Sequence, residues 1–334
     1  MDVFIHRRFE ADFERHPLIL VDVGARGGLK SNWARARRHL HSIGFEPDKR
    51  EFGRLVDPSK TPGTGTTFFD TALHNRRGPL RLNVARDRGL TSVFEPNRVF
   101  LDSFPEAARF DTIDVQQVDA DTLDNQLHQH GITDVDFVKA DTQGSELFVL
   151  EGAAQALASS IIGVEVEVEF TQIYQEQPLF GDVDAYLRSL GFLLFDLRPC
   201  YWKRAAGHSL GGPHGQIIWA DALYLKGPAA FQALLVALDP EGQRSKVLRA
   251  ISICVLYGYY DYALEISRMA GGALSPEDRS LIERQLHEGD ESNQRLSNLP
   301  GRRQLAAALH RLWKLLAPRP EGWSVSDAEL GNLP

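Results

Sequence analysis

Along the first two-thirds of the chain, short apolar runs alternate with stretches whose apolar residues recur every three or four positions. Runs at about 18–24, 42–46, 67–73, 135–141, 161–170, 192–196 and 216–225 read as strands. Between them, Trp33, Ala34 and Leu40, then Phe52 and Leu55, then Leu123 and Leu127 mark helices. So do Leu147, Leu150, Ala154 and Leu157 within 144–159, and the stretch 183–190. This alternation predicts an α/β fold: a doubly wound, mostly parallel, seven-stranded Rossmann-like sheet covered on both faces. A β-hairpin is expected as an addition, with Leu80-Arg81-Leu82-Asn83-Val84 alternating and Asp87-Arg88-Gly89 turning, and 113–118 reads as a further strand.

After Gly227-Pro228 the pattern becomes helical. Residues 229–286 read as helices, 288–303 as a polar loop, and Leu305, Leu309, Leu312 and Leu316 as an apolar stripe at roughly four-residue steps. The end, from Pro318, is expected to be loose. The division is therefore a catalytic domain over 1–227 and a helical C-terminal extension over 228–334. The leucine stripe is expected to pack on the core or to form a homodimer contact.

Bulk properties narrow the classes. A chain of 334 residues is long for one domain and suits one core plus an extension. The formal net charge of −8 argues against nonspecific binding of nucleic acid or of anionic membranes. Two cysteines, Cys200 and Cys254, are too few for a disulfide framework and sit in apolar surroundings. No apolar run approaches the ~18 residues of a membrane span. Residues 1–16 are charged throughout, unlike a signal peptide, so a cytoplasmic enzyme is expected.

The chemistry starts at the first strand. Leu18-Ile19-Leu20-Val21 leads into Asp22, then Gly24, Ala25, Gly27 and Gly28: a buried strand entering a glycine turn that opens a helix. Glycines there let a nucleotide lie against bare backbone, beside unpaired helical N–H groups. Glu46, 22 residues past Gly24, ends the next strand, near the ~20 expected of a carboxylate that holds a ribose diol. Arg26 stands where a dinucleotide fingerprint has its second glycine, and Asp22 would repel a diphosphate. An acid before the turn suits a cationic ligand such as S-adenosylmethionine (SAM) better than NAD(P). A Rossmann enzyme using NAD(P), a bare turn without ligand, and a non-catalytic scaffold with a partner-binding helical tail are the alternatives.

Several ordered motifs then resemble the FkbM-type family of SAM-dependent methyltransferases. These are Val21-Asp22-Val23-Gly24-Ala25 with Gly28, Gly44-Phe45-Glu46-Pro47-Asp48, 72–78, Thr91-Ser92-Val93-Phe94-Glu95-Pro96-Asn97, and Asp121-Thr122-Leu123-Asp124. The strongest is 136–147, centred on Lys139-Ala140-Asp141-Thr142-Gln143-Gly144, followed by Leu150-Glu151-Gly152-Ala153. Glu165-Val166-Glu167-Val168-Glu169-Phe170 and 186–197 also fit. The resemblance covers about 16–226. Arg26 departs from an expected asparagine and Thr91-Ser92 from a serine pair. The family implies a class I methyltransferase sheet and O-methylation of a hydroxyl on a sugar, glycan or polyketide-like acceptor.

On that reading Asp22, Gly24, Ala25, Gly28, Glu46, Asp121 and Asp141 are the cofactor-binding candidates. Asp121 would contact adenine, or else begin a helix. Asp141, Glu167, His208 and Lys139 are the catalytic candidates. Asp141 ends a core strand, where open α/β sheets bind ligands. Lys139 shares its face and would pair with Asp141 or Glu146. Glu165, Glu167 and Glu169 alternate with valines, and three acids on one strand face need partners; Glu167 is the candidate base. His208 and His214 lie in a glycine-rich loop that could cover the acceptor. Tyr201, Trp202 and Trp219 are either sugar-stacking or rim residues. A divalent metal on Asp141 and one glutamate is the less favoured alternative, and no zinc site is expected.

Overall fold

The computed structural model describes residues 6–57, 66–212, 214–293, 301–316, 322–326 and 330–332. Its strands are β1 (Leu18–Val23), β2 (Leu40–Phe45), β3 (Thr66–Phe69), β4 (Ala72–Leu73), β5 (Gly78–Ala85), β6 (Thr112–Asp121), β7 (Phe137–Ala140), β8 (Gly163–Glu169), β9 (Phe192–Trp202), β10 (Gln216–Lys226) and β11 (Ser324–Ser326). Helices α1 (Glu10–Arg15), α2 (Lys49–Leu55), α3 (Arg98–Leu101), α4 (Leu123–Gln129), α5 (Glu146–Glu151), α6 (Ala154–Ser159) and α7 (Phe180–Ser189) lie between the strands or precede them. Helices α8 (Pro228–Val236), α9 (Pro240–Leu256), α10 (Tyr260–Met269), α11 (Pro276–Asn293) and α12 (Arg302–Leu316) follow β10.

The fold is mixed α/β with a large sheet, ordered β11-β9-β10-β8-β7-β1-β2-β3. The run from β3 to β8 pairs in parallel. β10 is antiparallel to both β8 and β9, and β11 is antiparallel to β9. The sheet thus has eight strands rather than seven, and its direction is mixed: six strands run one way, and β10 and β11 run against them. After β9 the chain comes back as β10, which inserts between β8 and β9 and pairs antiparallel with both. The eighth strand comes from the C-terminal stretch expected to be loose, where Ser324–Ser326 adds to the edge at Cys200–Trp202.

The expected run 67–73 is split. β3 closes the large sheet, while β4 joins β6 and β5 in a separate three-stranded sheet. The tight hairpin expected at Asp87-Arg88-Gly89 does not form; β5 pairs antiparallel with β6, the strand expected at 113–118, across a long connection. Asp87 caps a 3₁₀ turn at Arg88–Leu90, and the chain comes back to bridge Asn83 with Ser92 before reaching β6. The expected helix at 144–159 is two, α5 and α6.

Alternation along the strands feeds two cores. Val21, Val23, Val138, Val164 and Val166 join Leu150, Leu157 and Leu187 on one face. Leu18, Leu20, Phe137, Leu223 and Leu225 join Phe13, Trp33, Ile251, Tyr257 and Ile266 on the other. Helices after β10 therefore pack onto the sheet itself. Charge fastens them: Lys246 and Arg249 of the buried α9 meet the fully buried Asp136 at 2.8 and 3.0 Å, while Ile19 donates its N–H to the same carboxylate. An unpaired carboxylate there would cost several kcal/mol, so the two cations fix where α9 docks.

Candidate active site

Strand order reverses between β1 and β7, and the crevice of an open α/β sheet opens at that switch point. Here the turn after β1 comes against the end of β7. Gly24 has φ +74°, and a Cβ on it would lie 2.0 Å from the Asp141 carbonyl oxygen. Only glycine satisfies both demands. A cavity of about 200 Å³ opens beside this contact. Gly24 and Arg26 line it from the β1 turn, and Glu46 and Asp48 from the end of β2. Ala72, Leu73, Leu80 and Leu82 form an apolar wall from the small sheet. Arg88, Thr91 and Val93 close it above, and Asp141, Thr142, Gln143 and Ser145 end it.

Glu46 is buried. Its Oε1 accepts the Asp48 N–H at 2.9 Å, and its Oε2 has no hydrogen-bond partner among the described residues. Burial, with Asp48 and Glu51 nearby, pushes its carboxyl up to about 7. Asp48 in turn caps α2 through the Arg50 and Glu51 N–H groups and pairs with Arg88 at 2.7 Å across the cavity mouth.

The opposite end is acidic. Asp141 is half-buried, and Gln143 Nε2 donates both to its Oδ1 at 3.2 Å and to Glu167 Oε1 at 2.7 Å. Gln143 holds a left-handed φ of 59°, which a non-glycine residue adopts only under constraint. The constraint is visible: Ser92 Oγ donates to the Gln143 carbonyl at 2.6 Å, and the Tyr174 hydroxyl lies 3.0 Å from its Oε1. Glu146 accepts the Thr142 N–H at 2.6 Å and the Gly144 N–H at 2.9 Å, folding the loop around its own carboxylate. Burial pushes the Glu146 carboxyl up to about 7, and Asp141 adds to the push. Burial and the neighbouring Asp141, Glu169 and Glu146 raise Glu167 far above the carboxylate range.

The structure brings Gly24, Glu46 and Asp141 together around one cavity, with Glu167 joined to it through Gln143. Other expected residues stand elsewhere. Asp22 is buried and paired with Lys139 at 3.0 Å; Lys139 lies only 3.9 Å from Asp141 but faces Asp22. Burial alone would lower the lysine; Asp22 and Asp141 outweigh it and hold it charged. Lys139 therefore neutralises the floor of the site and has no free lone pair. Ala25 is buried and, like Gly28, is not part of the cavity wall.

Asp121 is a correction. It accepts from the Thr122 N–H, Asn125 Nδ2 and Gln126 Nε2 at the start of α4, in line with the helix-start alternative, and it lies outside the cavity. His208 is another: it is exposed, and its ring nitrogen meets the Ala205 carbonyl at 3.3 Å, apart from the crevice. The loop carrying it is the β9–β10 hairpin connection, which the strand pairing holds at the edge of the sheet. His214 stacks on Tyr201, Trp202 is buried against Phe104 and Trp323, and Arg198 lies over Trp219. Glu165 pairs with Lys30 and accepts from the Tyr257 hydroxyl at 2.7 Å. Both cysteines are free and buried. Among the described residues, no group of three or more His, Cys, Asp or Glu is arranged to hold a metal, and no helix is long and apolar enough to cross a membrane.

A glycine turn, a buried carboxyl and a second acid at the switch point of a mixed α/β sheet define a ligand crevice of the open α/β kind. Residues 22–194 match the domain described as the methyltransferase FkbM domain. The chain belongs to the FkbM methyltransferase family. Among solved structures, the methyltransferase FkbM from Methylobacillus flagellatus KT is similar at 16% identity and a TM-score of 0.38. That match covers 63% of this chain and 43% of the Methylobacillus chain, so this chain spans under half of that protein. A mutant 16S rRNA (adenine(1408)-N(1))-methyltransferase with cosubstrate SAM from Catenulisporales acidiphilia is similar at 14% identity and a TM-score of 0.30, covering 66% of this chain and 90% of that one. No curated protein matches the chain.

Proposed function

We propose that this methyltransferase is SAM-dependent and methylates a hydroxyl oxygen on a sugar, glycan or polyketide-like small molecule. One observation carries the reading: a single cavity has a buried carboxyl with an unused oxygen, Glu46, at one end and the Asp141–Gln143–Glu167 chain at the other. The residues present fit SAM. Glu46 Oε2 is a free acceptor for a ribose diol, the apolar wall from Ala72 to Leu82 suits adenine, and Asp141 suits an ammonium. The Arg26 guanidinium, which has no ion-pair partner among the described residues, suits a carboxylate.

Bound SAM supplies a methyl group already activated on a sulfonium. The chain must align the acceptor in line with that methyl and keep water out. Gln143 fixes the spacing between Asp141 and Glu167. Glu167 is the proposed base in its ionised form, which the positive charge of bound SAM would favour against the upward push of burial and Asp141; it then takes the hydroxyl proton onto a carboxylate oxygen as the new C–O bond forms. Lys139 and Asp22 keep the floor neutral as a pair.

Calorimetry tests the reading. The wild-type chain is expected to bind SAM and not NAD, and Glu46→Ala to weaken SAM binding. Binding of NAD but not SAM would end the proposal.

A further inference from the structure

Helix α12 has an apolar face that nothing in the described structure covers. Leu305, Leu309, Leu312, Trp313 and Leu316 are each at least half exposed, and every described residue from 304 to 313 is exposed. At 100° per residue these five side chains share less than half of the helix circumference, with Ala308 on the same arc. The charge of the segment is as one-sided as its hydrophobicity. Between Glu291 and Glu321 the sequence holds Arg295, Arg302, Arg303, Arg311, Lys314 and Arg319 and not one Asp or Glu. All 45 acidic residues of an otherwise acidic chain lie outside this stretch.

We propose that α12 is an interfacial helix, lying flat in the headgroup layer of an anionic phospholipid bilayer and tethering the methyltransferase body to that surface. A basic amphipathic helix with leucines and a tryptophan on its apolar side is the form that such binding takes. Trp313 sits at the margin of the apolar arc, where the indole meets the polar region. At 15 residues the helix is about 22 Å long, too short to span the ~30 Å hydrocarbon layer, so it lies along the surface.

Charge separates this occupant from a second copy of the chain. Pairing two α12 helices would set four cations, Arg302, Arg303, Arg311 and Lys314, against four, with no acid on either to offset them. The 4-3-4 leucine spacing also covers only about two heptads, short of the three to four that sustain a coiled coil. An anionic bilayer offers the opposite charge, and it needs no shape-matched groove for a broad leucine face.

Flotation of the full chain with phosphatidylcholine vesicles, and with vesicles of phosphatidylcholine and phosphatidylglycerol, tests the proposal. Flotation with the anionic vesicles alone, weakened by added salt, is the expected result. Leu309→Glu/Leu312→Glu is expected to lower the bound fraction at least about tenfold, and Arg311→Glu by a smaller factor. Neither variant should shift the thermal midpoint, because α12 packs on none of the core. Failure of the wild type to float, equal flotation with neutral vesicles, or flotation that survives the double variant would each overturn it. So would a wild-type dimer in light scattering that becomes monomeric in the double variant without any vesicle binding; that result would assign the face to self-association.

Discussion

Replacing Glu46 by glutamine removes a proton that the native chain holds unusually tightly. The carboxyl sits at about 7 when folded, against 4.5 when free, because it is buried with Asp48 and Glu51 close by. That difference corresponds to about 3 kcal/mol. Its sign follows from linkage. Below about pH 4.5 the group is protonated in both states and its contribution is fully present. Between about pH 4.5 and 7 the unfolded chain ionises and the folded one does not, so this stability is progressively lost. Glutamine cannot ionise. Measured by urea denaturation from about pH 4.5 to 8, Glu46→Gln should therefore gain up to about 3 kcal/mol relative to the wild type as pH rises. The ligand gives a second reading of the same proton. If the ionised carboxylate holds a ribose diol, wild-type affinity for S-adenosylhomocysteine should be roughly thirtyfold weaker near pH 5.5 than near pH 8. The variant should lose that slope and bind about ten- to a hundredfold more weakly at the higher pH. Parallel stability curves for the two proteins would refute the buried-carboxyl account. A pH-flat wild-type affinity, or an unchanged affinity in the variant, would refute the diol.

Other substitutions probe the rest of the frame. Gly24→Ala drives a Cβ to 2.0 Å from the Asp141 carbonyl at φ +74°, so loss of at least about 2 kcal/mol in thermal or urea denaturation is expected. Lys246→Met leaves Asp136 buried with one cation fewer and should cost about 3 kcal/mol or more by denaturation, an effect that a merely exposed tail would not show. Glu167→Gln should cut kcat about a hundredfold or more while leaving SAM affinity within about twofold; retained turnover would remove it as the base. His208→Ala should leave kcat/KM within about twofold of wild type, because the ring lies outside the crevice.

Local signals carried much of the architecture. Strand alternation separated the two cores because side chains of a strand point to opposite faces at every step, and the valines of β8 do enter one core while Glu165 faces Lys30 and Tyr257 on the other side. Gly24 and Glu46 were legible for the same reason: each marks the end of a strand, where backbone shape and chemistry are set within a few residues. The whole-chain charge conceals a local one. A net −8 averages over a basic segment of some thirty residues that holds no acid at all.

Pairing across the fold was not legible. The sequence leaves Asp121 open between a ligand contact and a helix start and pairs Lys139 with Asp141 or Glu146; the fold gives Asp121 to Asn125 and Gln126, and sets Lys139 on Asp22, 117 residues away in sequence, with Asp141 at 3.9 Å. Gln143 was one letter of a motif until its strained backbone, Ser92 and Tyr174 showed it holding two acids at a fixed distance. The chain by itself determined the alternating α/β pattern, the glycine turn and its flanking carboxylates, because those depend on neighbours within a turn or two. Tertiary structure alone decided the antiparallel β10, the added β11, the docking of α9 onto Asp136 and the exclusion of His208 from the crevice. Each of these turns on hydrogen bonds, ion pairs or packing between residues far apart in sequence, and a linear pattern does not encode distance in space.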